Sequence, residues 1–381
     1  MEPVTLKTRA VRDLATTLHS AVHQKNIPGL DAMRASAIIL VILYHYAEPV
    51  SPAIGVIVFF VLSGFLITGL LIKEIAKSGT ISIRNFYSRR AYRIFPAFYV
   101  CWFVTMGLAL WKHEYLTWTH SLQTFFYVAD YGRAFIPLRE QYRYQMGISW
   151  SLAVEEQFYL LWPLLLLKIY RLKNPLRAVG WIICGLWLWR ALLVIGFHVS
   201  WDYAYNAFDT RADALMIGCW LALAVFQPKA PRSITWLLSS KWLVLVPLLL
   251  LDGINSLEMH GLFGPSLQVL EFSIDPVLTA ILLLQWIYWG SLGWAFLEHP
   301  VIKFTARISY SLYLYHQVVR SLLPNLLVVL PLRHGKTLVT TVGFILVATA
   351  SYYWIERPFM RMRDRGRRPS VLMDDGLQQV S

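Results

Sequence analysis

The chain has 381 residues, 57% of them hydrophobic and only 15% charged. A soluble domain carries about 25% charged residues, so this composition excludes an ordinary soluble protein and places the chain in a membrane. The formal charge of +13 does not point to nucleic acid, because the basic residues fall between apolar runs, where a topology signal puts them.

Residues 1–28 are polar and mixed in charge, with no apolar stretch before Leu30. They are expected to form a cytoplasmic N-terminal arm and not a signal peptide. The first apolar segment, LDAMRASAIILVILYHY from Leu30 to Tyr46, carries Asp31, Arg34 and His45. Eleven residues of helix turn through about three full turns, so Arg34 and His45 share a face roughly 16 Å apart. Asp31 precedes Arg34 by one turn on the same stripe. A charge at the centre of a bilayer costs about 2.5–3.5 kcal/mol on insertion scales, so the stripe is expected to face an interior. An interfacial Asp31–Arg34 ion pair and a His45 bonded to a backbone carbonyl are the plain structural accounts. A proton-transferring His45 is the functional one.

The second segment, VIVFFVLSGFLITGLL, contains Ser63 and Gly64, where a neighbouring backbone can come close and a hydroxyl can bond across helices. In FYSRRAYRIFPAFY, Arg90 and Arg93 stand one turn apart and can hold phosphate as well as anchor the helix. GISWSLAVEEQFYLLWP carries Trp150 and the adjacent Glu155 and Glu156. Neighbours on a helix point about 100° apart, so one carboxylate can face a cavity while the other does not. FDTRADALMIGCWLA adds Asp209, Arg211 and Asp213, and ARISYSLYLYHQ adds Ser309, Tyr310 and His316. Arg190 and Arg320 fall inside apolar runs, with ion pairing inside the bundle as the account. Cys101, Cys184 and Cys219 lie in apolar segments without paired spacing, and are expected to be small core residues, with no metal site.

Ten spans are expected, near 31–48, 54–72, 94–112, 150–167, 178–197, 211–227, 242–254, 270–296, 308–330 and 337–356. Pro276 is a potential break in the eighth. Basic clusters fall on alternate connections, which puts both termini in the cytoplasm. The opposite connection 252–275 holds Asp252, Glu258, Glu271 and Asp275 without Lys or Arg. Arg133, Arg139 and Arg143 on the long outer segment 113–145 run against the rule. The expected fold class is therefore all-α: a polytopic integral membrane protein of about ten transmembrane helices. Residues 1–28 form the arm, 29–358 the membrane domain and 359–381 a basic, then polar and partly disordered, cytoplasmic tail.

Taken in order, LDAMRASAIILVILYH, FFVLSGFLIT, RRAYRIFPAFY, SWSLAVEEQFYLLWP, ISYSLYLYHQ and YYWIERPF resemble the membrane-bound acyltransferases of the acyltransferase-three type, which O-acylate cell-surface sugars. The likeness runs from about Gly29 to Phe359. It implies a multi-pass protein of the bacterial inner membrane that moves an acyl group, acetyl by default, from cytoplasmic acyl-coenzyme A to a hydroxyl of a glycan or lipid-linked sugar. Acyl-coenzyme A is then a co-substrate, and no bound cofactor is expected. By the same resemblance His45 is the catalytic base, with Arg34 its motif partner, Asp31 in support and Glu155 the acidic position. Arg90 and Arg93 are the donor-binding pair. Ser63, Trp150, Glu156, Arg211, Asp213 and His316 are candidate acceptor-side or supporting residues. No soluble esterase-like domain is expected after the membrane part, so the bundle and its outer loops are expected to hold the acceptor. A proton-coupled transporter or flippase of a polysaccharide precursor is the competing reading, since buried ionisable groups also mark proton paths; the absence of an internal repeat argues against it. A non-catalytic partner in a polysaccharide assembly complex is the third.

Overall fold

A computed structural model describes residues 14–46, 51, 53–113, 117–135, 146–227, 231–262, 264–326 and 335–365 of the chain. Every regular element among these residues is a helix. Helix α1 covers 14–23, α2 Leu30–Tyr46, α3 Ile54–Ser78, α4 Ile83–Trp111, α5 Trp118–Phe125, α6 Ala129–Phe135 and α7 Ser149–Ile169. Helix α8, Pro175–Ala191, continues as a π turn to Gly196. Then follow α9 Trp201–Asn206, α10 Phe208–Val225, α11 Arg232–Leu237, α12 Leu245–Met259, α13 Pro265–Ser291, α14 Pro300–Leu326, α15 Gly335–Ser351 with a π turn to Glu356, and α16 Arg357–Arg365.

Each of the ten expected segments overlaps one of these helices in its described residues. Among the described residues, five helices are long and apolar enough to cross a membrane: Ile54–Ser78, Ile83–Trp111, Pro175–Gly196, Lys241–Met259 and Pro265–Ser291. Two of the others show why they fall short. Helix α2 has 17 residues, and α10 carries Asp209, Arg211 and Asp213 within its 18. Pro276 sits inside an unbroken α13.

Three expectations change. The acidic residues of the connection 252–275 all lie on the helices α12 and α13, and Glu271 and Asp275 are buried. Cys184 is exposed, while Cys101 and Cys219 are buried, and all three are free thiols. The N-terminal arm is not wholly polar surface: Leu18, Ala21 and Val22 of α1 are fully buried in the main core. The tail begins as helix α16, and the disorder expected of its last residues, 366–381, lies outside the described residues.

Helix α3 is the hub, packed on α2, α10 and α13. It meets α10 through glycine. A Cβ on Gly64 would lie 1.9 Å from the Leu215 carbonyl oxygen, and one on Gly218 would lie 2.0 Å from that of Val61. The backbones touch, as small residues permit in membrane bundles. Gly69 packs on Phe226 further along, so residue numbers rise together and α3 and α10 run parallel. Gly55, at the start of α3, lies against Ala37 and Val41, and Lys73 near its end donates to the Gln24 carbonyl just ahead of α2, so α2 runs opposite to both. The bundle therefore has two ends. One holds His45, the start of α3 and the start of α10; the other holds Asp31, Lys73 and Phe226.

Gly64→Ala and Gly218→Ala are expected to lower the melting temperature and the yield of monodisperse protein, since overpacking a core costs typically about 1–3 kcal/mol. Gly107→Ala and Gly180→Ala, where a Cβ would meet nothing within 4 Å, should leave both unchanged or slightly raised. Thermal melts in detergent read this directly. Equal behaviour of the two pairs would contradict the crossing.

Candidate active site

A cavity of about 440 Å³ runs between α2, α3, α4, α7 and α14. Its wall on α3 extends from Val56 to Lys73, about 26 Å at 1.5 Å per residue. That is most of a hydrocarbon core of about 30 Å. The Lys73 end is cationic, with Lys25, Arg34, Arg89, Arg90 and Arg93 on the wall and Asp31 beside them.

These cations are held differently. Arg34 Nη1 donates to Asp31 Oδ1 at 3.2 Å within α2, the pairing that the one-turn spacing allows. Arg89 Nη2 donates to Glu74 Oε2 at 2.9 Å, which neutralises it locally. The Arg90 guanidinium lies 3.6 Å over the Tyr159 ring, a cation–π contact that holds it without consuming its charge. Arg93, one turn on, opens to the cavity. Midway, Ser63 Oγ donates to Glu155 Oε1 at 2.7 Å, so Ser63 bonds across helices and ties α3 to α7. Glu156 also reaches the wall, so both neighbouring carboxylates face the cavity.

Ser151 and Tyr313, hydrogen-bonded through their hydroxyls, belong to the wall at the opposite end. His45 is not on the wall. The Tyr313 ring leads to it: its centroid is 6.0 Å from that of buried His316, which lies 4.7 Å from His45, edge to face. His45 Nδ1 donates to the Val41 carbonyl at 2.7 Å, the backbone bond that the plain reading foresaw. That bond puts the proton on Nδ1 and leaves Nε2 as an acceptor. Gln317 Nε2 stands 3.1 Å from it and donates to it. An imidazole nitrogen left as an acceptor is what a general base requires.

Ser309 and Tyr310 also line the cavity, whereas Trp150, Asp213 and Arg211 lie outside its wall. Trp150 is buried against Phe60 and Tyr205. Asp213 accepts from Arg190 Nη1 at 2.9 Å and from Trp187 Nε1 at 2.9 Å, with both charged side chains buried. Arg211, also buried, lies 4.2 Å over Phe272. The Arg320 side chain falls outside the described residues.

Sequence reasoning did not single out Gln317 or Arg133. Gln317 directly follows His316 but meets His45 only through the packing of α14 on α2. Arg133 left a signal, a basic residue where the topology rule disfavours one. Its Nη1 donates to the Gly147 carbonyl, and the same nitrogen stands near Gln317 across Gly147.

Fold and cavity together define a helical membrane protein with a cationic internal passage that ends near a histidine pair. The acyltransferase domain of the acyltransferase-three family matches residues 27–357. The chain belongs to that family. It is 28% identical over 368 residues to the peptidoglycan O-acetyltransferase OatA of Listeria monocytogenes, covering 89% of this chain and 56% of that protein. It is 29% identical over 352 residues to the O-acetyltransferase OatA of Staphylococcus aureus, covering 88% of this chain and 57% of that one. The chain thus spans less than two thirds of the length of these relatives. No solved structure matches it.

Proposed function

We propose that the chain is a transmembrane O-acetyltransferase of the bacterial inner membrane, with ten spans and both termini cytoplasmic. It takes acetyl from cytoplasmic acetyl-coenzyme A and delivers it to a hydroxyl of an exported glycan, with His45 as general base. The observation that carries the reading is one cavity with cations at one end and, beyond Tyr313, an imidazole whose Nε2 is an acceptor at the other. A donor that carries several phosphates and an extended thioester arm suits a long cavity with Arg34, Arg90 and Arg93 at its mouth. A glycan acceptor is supported by the name of the Listeria relative, a peptidoglycan O-acetyltransferase.

The chemistry follows from the placement. The acceptor hydroxyl displaces Gln317 from His45 Nε2 and attacks the thioester carbonyl as Nε2 takes its proton. The carbonyl π pair moves to oxygen. On collapse the C–S bond breaks and its electron pair goes to sulfur. The thiolate then receives the proton from His45, giving an ester and coenzyme A.

The donor end gives the test. Losing a hydrogen bond to a charged group costs about 1.5–3 kcal/mol, roughly ten- to a hundredfold in affinity. Arg93→Ala and Arg90→Ala are expected to raise the donor KM by that factor and to change the acceptor KM little. Lys at either position should substitute poorly, lacking the planar fork. Steady-state kinetics on purified, correctly inserted variants measures this. An unchanged donor KM in both would remove the donor site from the cavity.

A further inference from the structure

Gly147 precedes α7 and packs between two side chains from distant parts of the chain. A Cβ built on it would lie 3.3 Å from Arg133 Nη1, 3.4 Å from Gln317 Oε1 and 3.8 Å from Gln317 Nε2. The missing side chain therefore leaves a small cradle with a guanidinium on one side and a carboxamide on the other. The same carboxamide reaches His45 Nε2 at 3.1 Å. The cradle is a neighbour of the proposed base, and Arg133 Nη1 points into it while also donating to the Gly147 carbonyl.

A site that forms a tetrahedral adduct needs a donor where the negative charge develops, preorganised and away from bulk water. The rings of Tyr44 and His316 pack on His45, and the Tyr313 hydroxyl, beyond His316, is engaged with Ser151. Arg133 is a positive charge at this end that stands across Gly147 from Gln317, the partner of His45. Its position also accounts for a basic residue on the connection where the topology rule disfavours one. Arg211 and Arg190 at the same end face other neighbours: one lies over Phe272 and the other is paired with Asp213.

We infer that Arg133 is a catalytic residue whose guanidinium, reaching over Gly147, stabilises the oxyanion formed when a hydroxyl attacks the thioester carbonyl near His45. The inference rests on the acyl-transfer reading above. Each part has a role in one step. His45 Nε2 takes the hydroxyl proton. The carbonyl π pair moves onto oxygen in the cradle, facing Arg133 Nη1. When the C–S bond breaks, that pair returns to re-form the carbonyl of the ester. Gln317 leaves Nε2 as the hydroxyl arrives and keeps the imidazole aligned beside the cradle. Gly147 is required because a methyl group there would occupy the place of the oxyanion.

The test uses the full-length purified chain in detergent, acetyl-coenzyme A as donor and an N-acetylglucosamine tetramer as acceptor probe, with thioester hydrolysis followed in parallel without it. Removing one oxyanion donor typically costs about 10²–10³ in kcat. Arg133→Ala and Gly147→Ala are expected to fall by about that factor with donor KM within about twofold, because the interaction exists only in the transition state. Melting temperatures should match the parent. Added ethylguanidinium should restore part of the Arg133→Ala activity and none of that of Gly147→Ala. Arg133→Lys, which keeps the charge without the fork, should fall between. A kcat for Arg133→Ala within about threefold of the parent would overturn the inference. So would a loss that follows a fallen melting temperature in every variant and ignores ethylguanidinium. If the parent itself neither transfers nor hydrolyses the donor, the acyl-transfer reading fails first, and this inference fails with it.

Discussion

His45→Ala and His45→Gln are expected to lower acetyl transfer by about 10²–10⁴-fold, the usual worth of a positioned general base, while both proteins still insert and fold. The ring is half-buried at the end of α2, bonded through Nδ1 to Val41 and through Nε2 to Gln317. Neither bond joins two parts of the core that other contacts leave apart, because α2 packs on α3 and α14 along much of its length. A fall in rate without a fall in stability is therefore the signature. Glutamine keeps a polar side chain of similar reach but cannot take the proton, so it should be as inactive as alanine. Gln317→Leu should cost less, since it loosens the ring without removing the base. Purified variants compared by rate and by thermal melt decide the matter. Near-parental turnover in His45→Ala would assign His45 a structural role and remove the base from the mechanism.

The largest expected effect on stability comes from the buried Arg190–Asp213 pair. Arg190 Nη1 meets Asp213 Oδ2 at 2.9 Å and the Thr210 carbonyl at 2.7 Å, while Nη2 meets Ser273 Oγ at 2.7 Å. The Arg190 side chain is 0% exposed and that of Asp213 2%, so neither charge can turn to solvent once its partner is gone. Asp213→Ala should cost about 3–5 kcal/mol, chiefly by leaving a buried guanidinium uncompensated. The double variant Arg190→Met with Asp213→Leu removes both charges and should recover most of that loss, as replacing a whole buried pair by apolar side chains often does. Recovery will be partial, because Trp187 Nε1 and the Thr210 carbonyl also lose a partner. Melting temperatures of the single and double variants measure the coupling. A double variant no more stable than Asp213→Ala would show that the pair is not the source of the effect.

What could be read from the sequence follows from the range of the interactions involved. Apolar runs are local, so all ten segments meet helices, and the Asp31–Arg34 spacing of one turn yields the observed ion pair. Ser63 was legible as a residue able to bond across helices, and it does so to Glu155. The sequence did not show what α3 would cross: Gly64 and Gly218 are 154 positions apart, and only the packing makes them face each other. Helix α1 was legible but overlooked. Leu14, Leu18, Ala21 and Val22 follow the spacing of an amphipathic helix, set in a polar stretch that masks it. Glu271 and Asp275 fall both in the acidic connection 252–275 and in the eighth expected span, and it is the span that holds, since both are buried on α13. Gln317 and Arg133 carry no local pattern that ties them to His45, and their nearness arises from α14 and from the turn before α7.

The central claim is that one passage carries acetyl from a coenzyme A thioester to a glycan hydroxyl. Mass spectrometry of an N-acetylglucosamine tetramer, after incubation with the purified full-length chain and isotopically labelled acetyl-coenzyme A, tests it most directly. The account predicts label in an ester on the glycan, coenzyme A released in equal amount, and neither product with His45→Ala. Unlabelled glycan from active, folded protein, or label transferred equally well by His45→Ala, would contradict it.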